Sequence, residues 1–296
     1  MIALEEWRKA ARDFYCAGNR IAYWAPDRPD AQKPWLLLIH GFPTSSWDWS
    51  ALWLELEKHF NLAALDMLGF GLSDKPANIR YSILDQADLQ EALLEHLGVS
   101  EAHLLVHDYG NTVGQELLAR QNDRSLSFAL KSLVFLNGGL FPEQHRARPI
   151  QKLGLSPLGP FIGMVMTRDK LRNNFDEIFG AETKASDEEI DGHWALINEN
   201  KGRRVFHKLL QYIPERQVMR SRWVGALKEA TIPLRLIDGG ADPVSGKHLY
   251  DYYREQIPNA DAVLLEDIGH YPQTEAPDRV LSAFFDFHRK LRTVSP

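Results

Sequence analysis

Asp108 is the residue of this chain with the clearest chemical potential, because of the run in which it lies, Leu104-Leu105-Val106-His107-Asp108-Tyr109-Gly110. The apolar residues before it predict a strand and the spacing from Asn111 to Gln121 predicts a helix, so Asp108 would stand at a sharp strand-to-helix elbow. A carboxylate is already ionised at pH 7, so it can displace a leaving group at a saturated carbon without a base and form an ester. Water must then cleave that ester. Epoxides and alkyl halides are the substrates that suit this chemistry.

The second step needs a base for water and an acid that orients the base. His270, in Ile268-Gly269-His270-Tyr271-Pro272, follows the last predicted strand, where the base belongs in the chain order nucleophile, acid, histidine. Asp242 is the candidate acid, because the Gly-Gly-Ala loop before it gives it reach. Asp238, at the end of the preceding strand, is the alternative. Another possible acid position is filled by Asn137, which cannot carry a charge.

Ester hydrolysis also needs hydrogen-bond donors for the developing oxyanion. The sequence His40-Gly41-Phe42-Pro43 follows the predicted strand Trp35 to Ile39, where a loop can aim the backbone N–H of Phe42 at the elbow. We expect this N–H and that of Tyr109 to form the oxyanion hole.

A further signature, Asp66-Met67-Leu68-Gly69-Phe70-Gly71-Leu72-Ser73, has glycines suited to tight turns beside the elbow. We interpret it as structural. Ser73 lacks a base at the required place, and the same objection applies to Ser45 and Ser46.

Several short, almost continuous apolar runs predict strands that are buried on both faces of a sheet. They are Arg20 to Trp24, Trp35 to Ile39, Leu62 to Leu65, His103 to Val106, Ser132 to Leu136, Leu234 to Ile237 and Ala262 to Leu265. Helical stretches such as Ile83 to Leu97 and Pro277 to Leu291 lie between or after them. Alternating strands and helices predict an α/β protein with a mostly parallel sheet flanked by helices.

The interval from Asn137 to Thr231 is far longer than one helix requires. We therefore predict a core domain formed by residues 1–137 and 232–296 and a helical cap at 138–231. Because ligands of such sheets bind beyond the carboxyl ends of the strands, the cap would cover the active site. Its aromatic residues and methionines predict an apolar pocket; among them are Phe161, Met164, Met166 and Trp194.

Composition excludes several classes of function. With 296 residues, 44% hydrophobic and 25% charged, the chain is typical of a globular protein. A net charge of −6 disfavours nucleic acid or an anionic membrane as a partner. The local basic clusters, Arg146 with Arg148, Lys201 to Arg204 and Arg216 to Arg222, are expected to be solvated helix faces.

Location and cofactors follow from the same composition. The single cysteine, Cys16, excludes an internal disulfide, and neither a signal-like nor a membrane-spanning run is visible, so we expect a cytoplasmic protein. No metal-ligand spacing or phosphate loop occurs, and we expect no cofactor.

Together these residues resemble the α/β-hydrolase superfamily, in the branch with an aspartate nucleophile that includes epoxide hydrolases and haloalkane dehalogenases. The resemblance spans nearly the whole chain and is strongest to the mesoderm-specific transcript family. The similar segments are His107 to Gly110, Leu136 to Glu143, Leu209 to Tyr212, Arg222 to Leu227 and His270 to Gln273.

The resemblance to epoxide hydrolases implies that Asp108 opens the ring and that His270, with Asp242, activates water. Those enzymes protonate the ring oxygen with two cap tyrosines. Tyr212 matches the later one by its setting, but no tyrosine occurs between Asn137 and Gln211.

Haloalkane dehalogenases have a tryptophan after the aspartate to hold the halide, and Tyr109 stands there in this chain. Phe42 replaces their second donor, an asparagine, while Trp194 could supply that donor from the cap. The arginines that fluoroacetate-type dehalogenases place after the nucleophile are replaced by Tyr109 and Thr112.

The expected function is hydrolysis of an epoxide to a diol, with Tyr212, Trp194 and His40 contacting a small hydrophobic substrate and water as the second reactant. The alternatives are dehalogenation of a haloalkane and non-catalytic binding of a small ligand or partner. The oligomeric state stays open.

Overall fold

The computed structural model describes residues 1–146 and 148–294, and its centre is one eight-stranded sheet in the order β1-β2-β4-β3-β5-β6-β7-β8. The strands are β1 Arg12–Cys16, β2 Asn19–Trp24, β3 Trp35–Ile39, β4 Asn61–Leu65, β5 Glu101–Val106, β6 Ala129–Phe135, β7 Leu234–Gly239 and β8 Ala262–Leu265. Strands β3 to β8 pair in parallel, while β2 runs antiparallel to both β1 and β4. The prediction of a mostly parallel sheet is confirmed.

Strand β1 is the one strand that the sequence pattern missed. Its burial alternates, with only Phe14 buried among its five residues, so it has no apolar run to reveal it. A hairpin turn joins it to β2, and Ala17 and Gly18 both have positive φ there, +48° and +77°.

Helices cover the sheet and fill the connections. They are α1 Leu4–Ala10, α2 Trp53–Leu56, α3 Ile83–His96, α4 Tyr109–Asn122, α5 Pro149–Gly154, α6 Gly159–Val165, α7 Arg168–Ile178, α8 Asp187–Asn198, α9 Phe206–Leu209, α10 Tyr212–Val218, α11 Arg220–Lys228, α12 Lys247–Gln256, α13 Pro272–Glu275 and α14 Pro277–Val294. Short 3₁₀ turns occupy Ser46–Trp49, Pro142–Gln144 and Glu199–Arg204.

The core lies on both faces of the sheet, because alternate residues of each central strand point in opposite directions. In β3, Leu37 and Ile39 belong to the larger apolar cluster, which also contains residues of the cap. Leu36 and Leu38 belong to the cluster on the other face, beneath α14. Burial on both sides is why these strands read as continuous apolar runs.

Helices α5 to α11 all lie between β6 and β7, in the interval that the sequence predicts as a cap. We call residues 138–231 the cap below; its exact bounds stay a prediction. No helix within the described residues is both long and apolar enough to cross a membrane.

Candidate active site

The elbow predicted at Asp108 is present and strained. Strand β5 ends at Val106, and Asp108 has φ +47° and ψ −105°, a conformation that non-glycine residues rarely adopt. The N–H of Asp108 donates to the Asn137 carbonyl oxygen at 2.8 Å, which ties the strained residue to the end of β6. Gly110 is required beside it, because a Cβ there would lie 2.4 Å from the carbonyl oxygen of Ile39.

The two carboxylate oxygens of Asp108 lie in different surroundings. Oδ2 accepts a hydrogen bond of 2.9 Å from the Phe42 N–H. Oδ1 lies 3.8 Å from Nε2 of His270, too far for a hydrogen bond. One oxygen is therefore held by a backbone donor, while the other is available for attack.

The structure brings His270 and Asp242 together behind this carboxylate. Nδ1 of His270 lies 2.6 Å from Oδ2 of Asp242, and both side chains are buried. The carboxylate of Asp242 also accepts hydrogen bonds from the Val244 N–H and the Ser245 hydroxyl, each at 2.7 Å. These bonds fix the acid so that Nε2 of His270 faces the nucleophile.

Burial and pairing act in opposite directions on this pair. Burial alone lowers the pKa of His270, but the charge of Asp242 and the bond to it outweigh burial and raise the pKa to about 9. Burial alone raises the pKa of Asp242, yet His270 and the other donors lower it to about 2. The charge on Asp108 also raises the pKa of His270, so neutralising Asp108 shifts the imidazole toward the base form.

The alternative acid, Asp238, is buried and neither of its carboxylate oxygens has a hydrogen-bond partner within the described part of the chain. Burial, followed by the charge of Asp242, raises the pKa of Asp238 well above its usual range. The geometry thus favours Asp242 as the partner of His270.

The loop before Phe42 is fixed by buried contacts. Nδ1 of His40 donates to the Gly41 carbonyl oxygen at 2.8 Å, and its Nε2 accepts from the Met67 N–H at 3.1 Å. Burial lowers the pKa of His40, which favours this neutral form. His40 was expected to contact substrate, but both ring nitrogens are engaged in holding the loop.

Only one of the two expected oxyanion donors reaches the nucleophile in this state. The N–H of Phe42 donates to Asp108, whereas the N–H of Tyr109 makes no hydrogen bond to that carboxylate among the described residues. Tyr109 is the first residue of helix α4, and the first N–H groups of a helix have no hydrogen-bond partner within it.

A cavity of about 80 Å³ adjoins Asp108 and His270. Its other lining residues are Phe42, Pro43, Arg148, Gln151, Met166, Lys170, Leu171, Asn174, Phe175, Ile178, Phe206 and Val244. Pockets for drug-sized ligands measure about 300–1,000 Å³, so the closed cap leaves space for a small molecule only. A larger depression, about 560 Å³, is lined by residues of the chain's first 62 positions and lies away from this chemistry.

The predicted cap residues separate into two groups. Met166 lines the cavity. Trp194 lies half-buried on α8 beneath the guanidinium of Arg203, 5.4 Å from its ring, and is not part of the lining. Phe161 points outward and is 55% exposed. The side chain of Met164 lies outside the described part of the chain.

Tyr212 packs against residues of the nucleophile loop and is not among the residues that line the cavity. Its ring centroid is 4.9 Å from that of Tyr109 and 6.1 Å from that of Phe42. The hydroxyl is buried without a hydrogen-bond partner among the described residues, although Gln151 lies close by. Burial, followed by the charge of Asp108, raises the pKa of Tyr212, so the phenol keeps its proton.

Arg216 is the functional candidate that sequence reasoning missed. It was expected on a solvated helix face, yet it is only 2% exposed. Its Nε donates to the Thr112 hydroxyl at 2.6 Å and its Nη2 to the carbonyl oxygen of Asp108 at 3.3 Å. The guanidinium also lies 4.5 Å from the ring centre of Tyr212, four residues earlier on α10. That i,i+4 spacing was the available signal, because it puts both side chains on one helix face.

The Asp66 signature has the structural role that the sequence indicates. Its Oδ1 accepts from the N–H and the hydroxyl of Ser46, and its Oδ2 accepts from the Leu72 N–H. A Cβ at Gly71 would lie 1.9 Å from Oδ2 of Asp66, so glycine is needed there. No group of three or more metal-ligating side chains occurs among the residues that the structure describes.

Comparison with known proteins places this geometry in a family context. A family described as alpha/beta hydrolase fold matches residues 34–277. The mesoderm-specific transcript homolog protein of Bos taurus is 42% identical over 295 residues, covering 96% of this chain and 88% of that protein. A haloalkane dehalogenase of Mycolicibacterium paratuberculosis is 28% identical, covering 86% of this chain and 85% of that protein. The solved structure of haloalkane dehalogenase DbeA from Bradyrhizobium elkani superposes with a TM-score of 0.78 at 21% identity, covering 96% of this chain and 99% of the other.

Proposed function

The chain belongs to the α/β-hydrolase family, and from that premise we propose that it hydrolyses its substrate through a covalent ester on Asp108. One observation supports this mechanism above others: Oδ2 of Asp108 accepts a hydrogen bond from a backbone N–H, while Oδ1 has no hydrogen-bond partner among the described residues and lies 3.8 Å from Nε2 of His270. In this arrangement Oδ1 can attack a carbon atom of the substrate, while Oδ2 already lies at the backbone donor that would stabilise an oxyanion.

In the first step Oδ1 of Asp108 attacks an electrophilic carbon of the substrate. A carbon–oxygen bond forms and the bond to the leaving group breaks, with its electron pair leaving on that group. The negative charge of Asp108 disappears in the ester. Because that charge raises the pKa of His270, the imidazole then loses its proton more readily and can act as a base.

In the second step Nε2 of His270 takes a proton from water, and the hydroxide attacks Cγ of the ester. The charge that develops on Oδ2 is stabilised by the Phe42 N–H, with the Tyr109 N–H as the second donor once the oxyanion forms. Collapse of the intermediate releases the alcohol, which takes the proton from His270. The second proton of the attacking water leaves the Asp108 carboxyl and restores the carboxylate; it returns to the Tyr212 phenolate after an epoxide has opened, or passes to solvent with a departing halide. Asp242 stabilises the imidazolium throughout.

The foremost substrate class is an epoxide, which would yield a diol. Tyr212 supports this choice, because its protonated hydroxyl is buried close to Gln151, which lines the cavity, and has no hydrogen-bond partner among the described residues, so it could donate to the opening ring oxygen. The earlier cap tyrosine of epoxide hydrolases has no counterpart in the sequence, so Tyr212 would act alone.

Dehalogenation is the second candidate, and two amides favour it. Gln151 and Asn174 line the cavity and could donate N–H groups to a departing halide, although Trp194, the donor expected from the sequence, does not line it. The similarity to haloalkane dehalogenases points the same way. Non-catalytic binding is disfavoured, since a ligand site alone would not need a buried aspartate and histidine pair facing a strained carboxylate.

A single turnover in ¹⁸O-water tests the ester. With enzyme in excess, water oxygen enters Asp108 while the product takes its new oxygen from the old carboxylate. We therefore expect unlabelled product and a labelled peptide containing Asp108. Label in the first-turnover product would show direct attack by water and overturn the mechanism.

The leaving group is tested separately with Tyr212→Phe. If Tyr212 protonates an epoxide oxygen, its loss slows epoxide opening by about 10²-fold or more while leaving the reaction of a haloalkane unchanged. Equal rates of epoxide opening in the variant and the parent protein would refute Tyr212 as the proton donor. Absence of epoxide opening in the parent protein, together with turnover of haloalkanes, would remove the epoxide assignment and favour the second candidate.

A further inference from the structure

Large apolar side chains are concentrated on the outer surface of the cap. Of nine exposed large hydrophobic residues among those described, four lie within positions 153–165, on or between α5 and α6. We call these four the apolar ridge: Leu153, Leu158, Phe161 and Val165, with exposed fractions of 40, 59, 55 and 45%. Soluble proteins seldom cluster such side chains in water without a binding role for them.

A groove rich in positive charge borders the ridge. Pro160 and Gly163 of α6 form one wall of this groove. The opposite wall is formed by Lys201, Arg203, Arg204 and His207, and we call these four residues the basic groove. Arg203 joins the two walls by donating to the carbonyl oxygens of Gly163 and Met166. Lys201 and Arg204 are exposed and form no ion pair with any described acidic residue.

Local charge here is opposite to that of the whole chain. Positions 144–170 and 200–208 together hold nine lysines and arginines and one acidic residue, Asp169, whereas the chain as a whole has a net charge of −6. Two of these nine, Arg148 and Arg168, pair with acidic residues outside the two segments. Screening limits the reach of a surface charge to about 8 Å at physiological salt, so a docking surface responds to its own charges rather than to the total. The sequence-based expectation that no membrane partner exists rested on the total charge and treated the local basic clusters as solvated helix faces.

The ridge also lies on chain segments that contribute to the lining of the catalytic cavity. Helix α5 and the segments that flank it and α6 supply Arg148, Gln151 and Met166 to the cavity lining. The outer face of the same segments forms the ridge. A surface that contacts the ridge would therefore lie against the same segments that cover the cavity at Asp108.

We propose that the apolar ridge and the basic groove dock this protein on a membrane surface that contains anionic phospholipid. The ridge side chains enter the boundary between headgroups and acyl chains, which removes apolar area from water, and the basic groove binds headgroup phosphates. A second copy of the chain fits the surface poorly. A two-fold interface would place each basic groove in the same patch as its copy, and the like charges would repel.

The test measures binding of the full chain to sedimented vesicles of phosphatidylcholine with and without phosphatidylglycerol. We expect binding to the anionic vesicles, with Leu158→Ser combined with Phe161→Ser weakening it roughly tenfold or more. Lys201→Gln and Arg204→Gln should each weaken it about fivefold. Val218→Ser is the matched control, because Val218 is 81% exposed on α10 outside the ridge, and it should bind like the parent protein.

Three results would overturn the proposal. One is absence of binding to anionic vesicles, and another is an equal loss in the Val218 control and the ridge variant. The third is a concentration-dependent dimer, seen by analytical ultracentrifugation, that the ridge variant abolishes, since the ridge would then be a self-association surface. Vesicle binding and the oligomeric state are both measured without catalysis, so failure of the docking proposal can be distinguished from failure of the proposed reaction.

Discussion

Replacing Asp242 by asparagine separates the two steps of the proposed reaction. The asparagine side chain has nearly the same size as aspartate but lacks the negative charge that makes the His270 imidazole a stronger base. The pKa of His270, about 9 in the structure, stands above the ordinary 6.5, which corresponds to roughly 3 kcal/mol of stabilisation for the imidazolium. Part of that belongs to Asp108, which is neutral in the ester. We therefore assign about 2–3 kcal/mol to Asp242, which predicts a loss of about 10²-fold in ester hydrolysis.

The first step should change little, because Asp108 attacks without a base. Rapid-quench kinetics with a chromogenic epoxide or haloalkane then give a burst of one equivalent per site, followed by turnover about 10²-fold slower than that of the parent protein. Titration of the His270 imidazole by NMR gives a second readout, and its pKa should fall in the variant.

Asp238→Asn is the matched control, since this buried carboxyl lies four positions earlier but contacts no donor within the described residues. It should change the rate of ester hydrolysis by less than about threefold. If Asp238→Asn gave the burst and slow turnover while Asp242→Asn behaved like the parent, the assignment of the orienting acid would be refuted.

Three further perturbations test other parts of the account. Because the pKa of His270 is raised, its pairing with Asp242 stabilises the fold fully below about pH 6.5, and this stabilisation is lost as the pH rises through about 9. Because the pKa of Asp242 is lowered, the same stabilisation is also lost as the pH falls from 3.8 toward 2. The melting temperature of His270→Gln should thus lie a few degrees below that of the parent between about pH 4 and 6.5 and converge with it at pH 9; a constant difference would contradict the pairing. Gly110→Ala would place a Cβ 2.4 Å from a backbone carbonyl oxygen and should cost about 3 kcal/mol in chemical denaturation, whereas Gly225→Ala, with nothing within 4 Å, should be neutral or stabilising. Arg216→Met should lower kcat about 10- to 100-fold with little change in KM, and partial recovery in Arg216→Lys would identify the lost charge as the cause; equal melting temperatures with equal kcat would dismiss the positioning role.

Much of the fold was predictable because the central strands are buried on both faces. The central strand Trp35–Ile39 coincides with its predicted run, and four of its five residues are buried. Strand β1 escaped prediction because it lies at the sheet edge and only Phe14 is buried. The other edge strand, Ala262–Leu265, was predicted because all four of its residues are apolar, whereas β1 begins with the charged residues Arg12 and Asp13.

The residues around Asp108 were predictable because each follows a strand, and parallel strands end at one edge of the sheet. The cap was harder, since its side chains are directed by packing between distant segments. Phe161 and Trp194 have the composition of pocket residues, yet one faces solvent and the other packs under Arg203. Arg216 shows the reverse case, a charged residue that is buried while the Thr112 hydroxyl and the Asp108 carbonyl oxygen accept hydrogen bonds from its N–H groups.

The central claim is a covalent ester between substrate and Asp108, and intact-protein mass spectrometry of His270→Ala tests it directly. This variant can form the ester but lacks the base to cleave it, so exposure to mixed epoxides and haloalkanes should leave a stalled adduct that maps to Asp108. A mass equal to the whole epoxide would establish ring opening, and an alkyl group without its halogen would establish dehalogenation. Absence of any adduct, or the same adduct on Asp108→Ala, would contradict the account.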